Sequence, residues 1–369
     1  MFTFGIEHEV AFLNRAGHFA DFASTSFTEF DKIISDLPLY ETDYPQLRIG
    51  DAGIKHKRCY IEGFERFDMR GCVTDCPPKG IEIRTTLHKT IQGAVDELNT
   101  SFQLLREKAL HAGFVPVLTS FHPYRTEFVP DPPLTSYEQR RRQNSPEKRT
   151  AFIPMLTYGP DLNLSLQGLD SDAIIEIGRK LTYYSPYLIP FSYSSPFFGG
   201  TLWDGLSIRT FLRTGRRPAV MVFLTDPANL LDSDPSLTKP ARLPAEVGRI
   251  EFKACDSCDD FTIYAGLLAL LKGLVLDTKL AGRATVPDAD LHQMSARQGF
   301  AHDDIAIGTL TLLQAAEHAL GTDEDSQFLK PLSSMLQQRV TPAHKMISTF
   351  HSTGSIEAAL YHSYPVQRD

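Results

Sequence analysis

GIEHE, residues Gly5–Glu9, places an isoleucine beside a glutamate in a stretch that reads as a strand. The same Ile–Glu pair recurs in GIEIR at Gly80–Arg84 and in RIEFK at Arg249–Lys253. Successive side chains of a strand point to opposite faces, so each stretch directs isoleucine to one face and glutamate to the other. A carboxylate is costly to bury unless it is neutralised. Three such strands therefore predict a shared polar face with cationic partners.

A further predicted strand, Asp161–Leu166, alternates in the same way, with leucines opposite Asp161, Asn163 and Ser165. Adjacent like charges in a sheet repel each other. The pattern therefore favours a cleft that holds Mg²⁺ through carboxylates over four amphipathic strands whose polar faces meet water. Basic side chains on the same faces are suited to phosphate and carboxylate groups, and they are Arg84, Arg249 and Lys253.

The composition is typical of a globular protein that does not bind polyanions. The chain has 369 residues, 42% of them hydrophobic and 22% charged, and a net charge of −8. This charge disfavours nucleic acid and anionic membrane as partners. The most apolar stretch, Tyr264–Leu276, is too short to span a membrane and contains Lys272. The first residues lack the features of a signal peptide, so we expect a cytoplasmic location.

The cysteines allow a weaker, alternative prediction. There are five of them, widely scattered, which argues against a disulfide framework. Cys255 and Cys258 have the spacing of half a zinc site, and Cys72 and Cys76 could supply the other half. The alternative is that all are reduced thiols, some of them buried.

The order of predicted elements indicates an α+β fold with a largely antiparallel sheet, helices packed on one face and the active site on the polar face. Strands do not alternate regularly with helices, which argues against a doubly wound parallel sheet. A helix is expected from Ile91 to about His111, ended by Gly113. We expect one catalytic domain over residues 1–369, with a Pro/Arg-rich connection or lid at about 123–154 and a mainly helical part from about 301.

The common nucleotide-binding and hydrolase motifs are absent from the sequence. It contains neither G-x-x-x-x-G-K-[ST] nor a strand-linked G-x-G-x-x-G, and it lacks H-E-x-x-H and G-x-S-x-G. If ATP binds, the polar face of the sheet must therefore hold its phosphates.

Several short motifs occur in a fixed order along the chain. They are Gly5-Ile6-Glu7-His8-Glu9, Asp75 seven residues before Glu82, Ser195-Pro196-Phe197 followed by Arg209, Glu251-Phe252-Lys253-Ala254-Cys255-Asp256, Ala296-Arg297-Gln298-Gly299, and the segment Thr341–Ser355. In this order they resemble the motifs of the glutamate–cysteine ligase and related carboxylate–amine ligase family. The resemblance covers nearly the whole chain.

This resemblance implies a glutamine-synthetase-like catalytic sheet and ATP-dependent amide formation, which in glutamate–cysteine ligase belongs to glutathione biosynthesis. A substrate carboxylate attacks the γ-phosphate of ATP to give an acyl phosphate and ADP, and an amine then displaces phosphate. The expected cofactors are ATP and Mg²⁺, and the expected partners are small amino-acid substrates. A homo-oligomer is left open.

The resemblance also implies roles for individual residues. Arg209 would hold the amino-acid carboxylate, with Arg84 as a second substrate-binding residue, and Lys253 would stabilise the transferring phosphoryl group. Lys253 and Arg209 are thus the candidate catalytic residues, and Lys253, Asn163 and Arg213 the candidate nucleotide-binding residues. The candidate metal ligands are Glu7, Glu9, Glu82, Glu251, Asp75 and Asp161.

Two departures from the family pattern affect this site. Many relatives have H-x-H where this chain has Asp161-Leu162-Asn163, and they have arginine at the position of Lys253. Lysine keeps the charge but loses the bidentate geometry. Two alternatives therefore stay open: a guanidino-type phosphotransferase on the same fold, and a non-catalytic ligand-binding protein whose metal site has decayed.

Overall fold

The computed structural model describes residues 1–40, 58–143, 152–361 and 364. The strands are β1 Phe2–Leu13, β2 Phe19–Ala20, β3 Cys59–Gly63, β4 Arg66–Phe67, β5 Val73–Asp75, β6 Pro78–Arg84, β7 Val115–Val117, β8 Asp161–Leu166, β9 Phe197–Phe198, β10 Thr201–Leu202, β11 Val220–Leu224, β12 Thr238–Pro240 and β13 Arg249–Phe252. The helices are α1 Phe27–Ser35, α2 Ile91–Ala112, α3 Ser136–Gln143, α4 Ser171–Leu188, α5 Ile208–Arg213, α6 Thr262–Leu276, α7 Ala289–Gln298, α8 Asp303–Leu320, α9 Leu329–Gln338, α10 Pro342–Thr353 and α11 Ile356–Tyr361.

One large sheet organises the described part of the chain. Its strands run in the order β12-β11-β13-β8-β1-β6-β3, and β2 and β7 pair with the far end of β1. Every pairing in it is antiparallel except that of β11 with β12. The predicted α+β fold with a largely antiparallel sheet is therefore confirmed. The four strands for which the sequence predicts acidic faces are neighbours at the centre of the sheet, in the order β13-β8-β1-β6.

The core lies on the side of the sheet to which the isoleucines point. Ile6, Ile81, Ile83 and Ile250 are each at most 1% exposed. They join one apolar cluster with side chains of α2 and α6, helices that contact the sheet. Burial of this size is the main driving force for folding, at about 25 cal/mol per Å² of apolar surface. The other face of the same strands is left for polar groups.

The helix boundaries follow from the sequence where caps are present. The Thr90 hydroxyl accepts the N–H of Gly93 at the start of α2, and Gly113 ends the helix with φ of 86°. Two other predictions were wrong in part. The sequence predicts a strand from Phe114 to Phe121, and the observed strand is only Val115–Val117. It also predicts a loop at Pro190–Pro218, and this stretch contains α5 and the β9–β10 ribbon. Elements of two to six residues are too short to show a periodicity.

The connection at about 123–154 contains helix α3, which is fixed to the β4 strand. The Glu138 carboxylate accepts hydrogen bonds from the Arg66 guanidinium and from the N–H groups of Phe67 and Thr135. Both charged side chains are buried, and a buried pair of this kind is costly to break. Residues 144–151 lie outside the described residues, and they include Lys148 and Arg149, two further basic residues of this connection. From residue 303 on, the described chain is helical almost throughout.

Among the described helices, none combines the length and the apolar character needed to cross a membrane.

Candidate active site

The polar face of the central strands forms the floor of a cleft of about 330 Å³. Seven acidic and nine basic side chains line it among the described residues. The basic residues are Lys79, Arg84, Arg209, Arg213, Arg217, Lys239, Arg242, Arg249 and Lys253. A protein with a net charge of −8 thus has a cleft in which basic groups are in excess. Such a cleft concentrates anionic ligands such as phosphates.

Strand register places the acidic residues in rows across the cleft floor. Glu9 lies opposite Glu82 on β6, and Glu82 lies opposite Tyr60 on β3. In the next row, Glu7 lies between Arg84 and Asp161. In the third row, Asn163 lies between Gly5 and Glu251. The buried Asn163 Oδ1 has no hydrogen-bond partner in the described structure, so it offers an acceptor to a ligand in the cleft.

Three carboxylates converge where β1, β3 and β6 meet. Glu9, Glu62 and Glu82 each offer an oxygen, and these oxygens lie within 4.8 Å of one another. Burial, with the charges of Glu62 and Glu9 adding to it, raises the pKa of Glu82 to about 8 although Arg84 opposes the shift. Hard oxygen donors of this kind suit Mg²⁺ or Mn²⁺. These residues therefore fit a divalent cation.

Glu7 lies near the middle of the cleft floor, between Arg84 and Arg249, and both of its ion pairs are long. Its carboxylate oxygens are 3.8 Å from Arg84 Nε and 3.8 Å from Arg249. Burial raises its pKa to about 7, because the arginine charges offset only part of the desolvation and Glu82 and Glu251 repel it. Each arginine makes a closer contact elsewhere, Arg84 with Glu82 and Arg249 with Glu251, both at 2.9 Å.

Lys253 lies between two further predicted metal ligands, Asp161 and Glu251. Its ammonium donates hydrogen bonds to both Asp161 and Glu251. Although burial opposes it, the positive charges of Lys253 and Arg249 lower the pKa of Glu251 to about 2. Burial raises the pKa of Asp161 to about 6 in spite of Lys253. The two carboxylates raise the pKa of Lys253 against the effect of its burial, so it stays charged.

Lys79, at the start of β6, fixes Glu9 in place. Its ammonium donates to Glu9 Oε1 at 2.8 Å and to the carbonyl oxygens of Pro154 and Thr157. The N–H of Gly159 donates to the other oxygen of Glu9. With Lys79 only 2% exposed, this network ties β1 and β6 to the segment that precedes β8.

Arginines of α5 and the following loop form one wall of the cleft. The terminal nitrogens of Arg209 donate to the carbonyl oxygens of Ala254 and Lys253, and its buried Nε has no partner among the described residues. Arg213 donates to the Pro218 carbonyl. Burial, reinforced by the charges of Arg209 and Arg217, lowers the pKa of Arg213. This crowding of cations favours an anion beside the wall.

Most of the predicted site residues meet in the cleft, and Asp75 does not. The lining includes Glu7, Glu9, Glu82, Glu251, Asp161, Asn163, Arg84, Arg209, Arg213 and Lys253. Asp75 lies in the exposed β4–β5 ribbon, where its carboxylate accepts the N–H of Cys76. Its distance of seven residues from Glu82 does not bring it to the cleft, because β5 pairs with β4 and not with the large sheet.

Other sequence predictions also fall outside the cleft. From the sequence, the basic residues of the Pro/Arg-rich connection could contact phosphate or only solvent. The three arginines of α3 do not line the cleft; Arg142, for example, lies over the Phe152 ring at 3.9 Å. Cys255 and Cys258 are buried and Cys72 is exposed. The three glutamates described above are the only group of three or more potential metal ligands in the described part of the chain. The zinc alternative therefore finds no support there.

Sequence reasoning missed Glu62 and Lys79. Glu62 follows Ile61 in a further Ile–Glu strand, so the pattern that identified the other strands also identifies this one. Lys79 stands in a proline-rich stretch with no periodicity, and no sequence signal points to it.

The sequence matches no protein-family model and no curated protein. Solved structures do match. Glutamate–cysteine ligase from Francisella tularensis in complex with AMP aligns with a TM-score of 0.59 and 12% identity, over 98% of this chain and 87% of that one. The fold is that of carboxylate–amine ligases. This confirms, at the level of the fold, the resemblance seen in the sequence motifs.

Two further ligase structures share the fold. A bifunctional glutathione synthetase from Pasteurella multocida aligns with a TM-score of 0.61 and 10% identity, over 98% of this chain and 51% of that one. The complex between the prokaryotic ubiquitin-like protein Pup and its ligase PafA gives a TM-score of 0.55 and 11% identity, over 98% of this chain and 73% of that one.

Proposed function

We propose that this protein is an ATP-dependent carboxylate–amine ligase, similar to glutamate–cysteine ligase, that forms an amide through an acyl phosphate. One observation carries the proposal. Five neighbouring strands of a ligase-type sheet, β13, β8, β1, β6 and β3, bring six carboxylates into one cleft. Basic side chains are in excess there, although the net charge of the chain is negative. Nucleotide phosphates with a divalent cation, and an amino-acid carboxylate, are the ligands that such a mixture of charges suits best.

The protein's part in this reaction is to position the reactants and to neutralise charge. In phosphoryl transfer these two effects supply most of the rate enhancement. Lys253 would stabilise the phosphoryl group as it moves from ATP to the substrate carboxylate. Arg209, Arg213 and Arg217 would attract the anionic reactants to their wall of the cleft. Arg209 and Arg84 stay the candidates for holding the amino-acid carboxylate.

A divalent cation would be held by Glu9, Glu62 and Glu82, and when bound it would neutralise phosphate charge. These residues come from three adjacent strands, so their spacing is set by sheet geometry and not by a flexible loop. Lys79 would keep the Glu9 carboxylate in position.

ADP release with Mg²⁺-ATP tests the proposal. We expect release that depends on a pair of amino acids, in a screen that begins with glutamate and cysteine. Glu62→Gln should reduce turnover by at least about a hundredfold, because a side chain that would hold a charged ligand loses its charge. The matched control is Glu107→Gln, which alters an exposed glutamate on α2 that pairs with the neighbouring Lys108, outside the cleft.

Product analysis separates this proposal from its alternatives. A mass increase that corresponds to an amide supports the ligase, and a phosphorylated product without an amide indicates a phosphotransferase. A non-catalytic binding role has one observation in its favour, since the chain's own cations contact most of the cleft carboxylates. If no amino acid stimulates ADP release, the ligase proposal is wrong.

A further inference from the structure

We propose that the Lys253 ammonium is a built-in cation that takes the place of a divalent ion between Asp161 and Glu251, so that Glu9, Glu62 and Glu82 alone bind a divalent cation in the cleft. The inference rests on the proposed function only in requiring that a divalent cation binds there. It changes the ligand set predicted from the sequence, which included Asp161 and Glu251.

The position of the ammonium is the first argument. Asp161 is the first residue of β8, and its side chain belongs to the polar face of that strand. Glu251 lies on the adjacent strand β13, opposite Asn163. Lys253 follows β13 by one residue and donates to both carboxylates. Its side chain is 14% exposed, so the charge is held inside the cleft and not in solvent. A divalent ion between the same two carboxylates would have to displace the ammonium or lie beside it, and like charges repel strongly at such distances.

The balance of charge in the two halves of the cleft is the second argument. Asp161 and Glu251 have two close cationic partners, Lys253 and Arg249, so the charge of this pair of carboxylates is compensated without a metal ion. Arg249 also lies 3.8 Å from Glu7 and from Glu246, which are more distant partners. The other half is not balanced in this way.

In that other half, three carboxylates share two cations once Glu82 has lost its proton. Lys79 pairs with Glu9, and Arg84 pairs with Glu82. Glu62 accepts a hydrogen bond from the neutral Tyr60 hydroxyl. The oxygens of these three glutamates approach one another within 4.8 Å. With all three ionised, the close cations of the protein compensate the charge of this partly buried cluster only in part.

Counting bound Mn²⁺ without nucleotide tests the inference, by equilibrium dialysis or by electron paramagnetic resonance of the free ion. The wild-type protein should bind about one ion per chain in the cleft, because only one half has more carboxylates than close cationic partners. Glu62→Gln should weaken this binding at least about tenfold. Glu251→Gln, the matched variant, should retain the ion, since Lys253 still has Asp161 as a partner.

Removing the ammonium should create a second site. Lys253→Ala leaves Asp161 and Glu251 facing each other with space between them, so it should bind about two Mn²⁺ ions. Asp161→Asn added to Lys253→Ala should return the count to about one. Circular dichroism and thermal unfolding establish that each variant is folded. If Lys253→Ala fails to fold, the inference is tested by the number of Mn²⁺ ions bound to the wild type and by the difference in Mn²⁺ binding between Glu62→Gln and Glu251→Gln.

Several results would overturn the inference: two ions bound to the wild-type cleft, loss of Mn²⁺ from Glu251→Gln, or a single ion bound to folded Lys253→Ala. Failure of the wild type to bind Mn²⁺ overturns it as well. That outcome stays distinct from failure of the proposed function, because amino-acid-dependent ADP release is measured separately with Mg²⁺-ATP.

Discussion

Lowering the pH should weaken divalent-cation binding in the cleft, because a carboxylate must lose its proton to act as a ligand. Glu82 is 5% exposed, and burial raises its pKa to about 8. At about pH 8 roughly half of this side chain is ionised, and at about pH 6.5 only about 3% is. From Glu82 alone, the apparent affinity for Mg²⁺ should therefore fall about 15-fold, or about 1.6 kcal/mol, between these two pH values.

The sign of the effect follows from which form binds. The protonated form of Glu82 is favoured in the free protein at neutral pH, so the cation must displace a proton, and its binding strengthens as the pH rises towards the pKa. Burial also raises the pKa of Glu7 to about 7, so its ionisation adds negative charge near the cation and contributes in the same direction. His8 is a buried residue of β1 and does not titrate in this range, because burial lowers its pKa to about 3.

Isothermal titration calorimetry measures both the affinity for Mg²⁺ and the release of protons that accompanies its binding. Titrations of Mg²⁺ in two buffers with different ionisation enthalpies give the affinity and the number of protons released. Glu82→Gln should bind Mg²⁺ more weakly at about pH 8 and should lose most of the pH dependence, since an amide does not titrate. Glu107→Gln should behave like the wild type. An affinity that changes less than about threefold between the two pH values would refute the assignment of Glu82 as a ligand with a raised pKa.

Two further variants probe how the site is held together. Lys79→Met leaves the Glu9 carboxylate without its buried ion-pair partner and should lower the free energy of unfolding by about 3 kcal/mol; a loss under about 1 kcal/mol in urea denaturation would contradict this. In Gly159→Ala the new Cβ would lie 2.3 Å from Arg209 Nη2, so strain should cost about 1–3 kcal/mol in thermal unfolding. Gly5→Ala is the control, because its Cβ would meet only ordinary contacts at 3.7 Å or more, and equal losses in both would argue against the strain.

Much of the sheet could be predicted because strand alternation is local. Each Ile–Glu stretch specifies which side chain enters the core. The sequence predicts strands at Phe2–Leu13, Gly80–Thr86, Asp161–Leu166 and Arg249–Ala254, and the observed strands β1, β6, β8 and β13 agree with these to within two residues. The caps of α2 are local in the same sense, since Thr90 and Gly113 act on the adjacent turn.

The partners of the charged residues could not be predicted in this way. Lys253 contacts Asp161 across 92 positions of sequence, and Lys79 contacts Glu9 across 70. Asp75 illustrates the same point in reverse, because its spacing from Glu82 suggested a shared site and strand pairing separates them. Glu62 could have been found from its Ile–Glu pair, but its convergence with Glu9 and Glu82 depends on the register of β3 with β6.

The sequence by itself determined that several strands present carboxylates on one face and isoleucines on the other, because that depends only on the alternation of side chains along a strand. The tertiary structure decided which carboxylates face each other and which cation neutralises each. Strand order and register set those distances, and the energy of buried charges changes steeply over a few ångströms. The sequence thus predicted one set of metal ligands, and the fold divided it into a pair compensated by Lys253 and a trio that is not fully compensated.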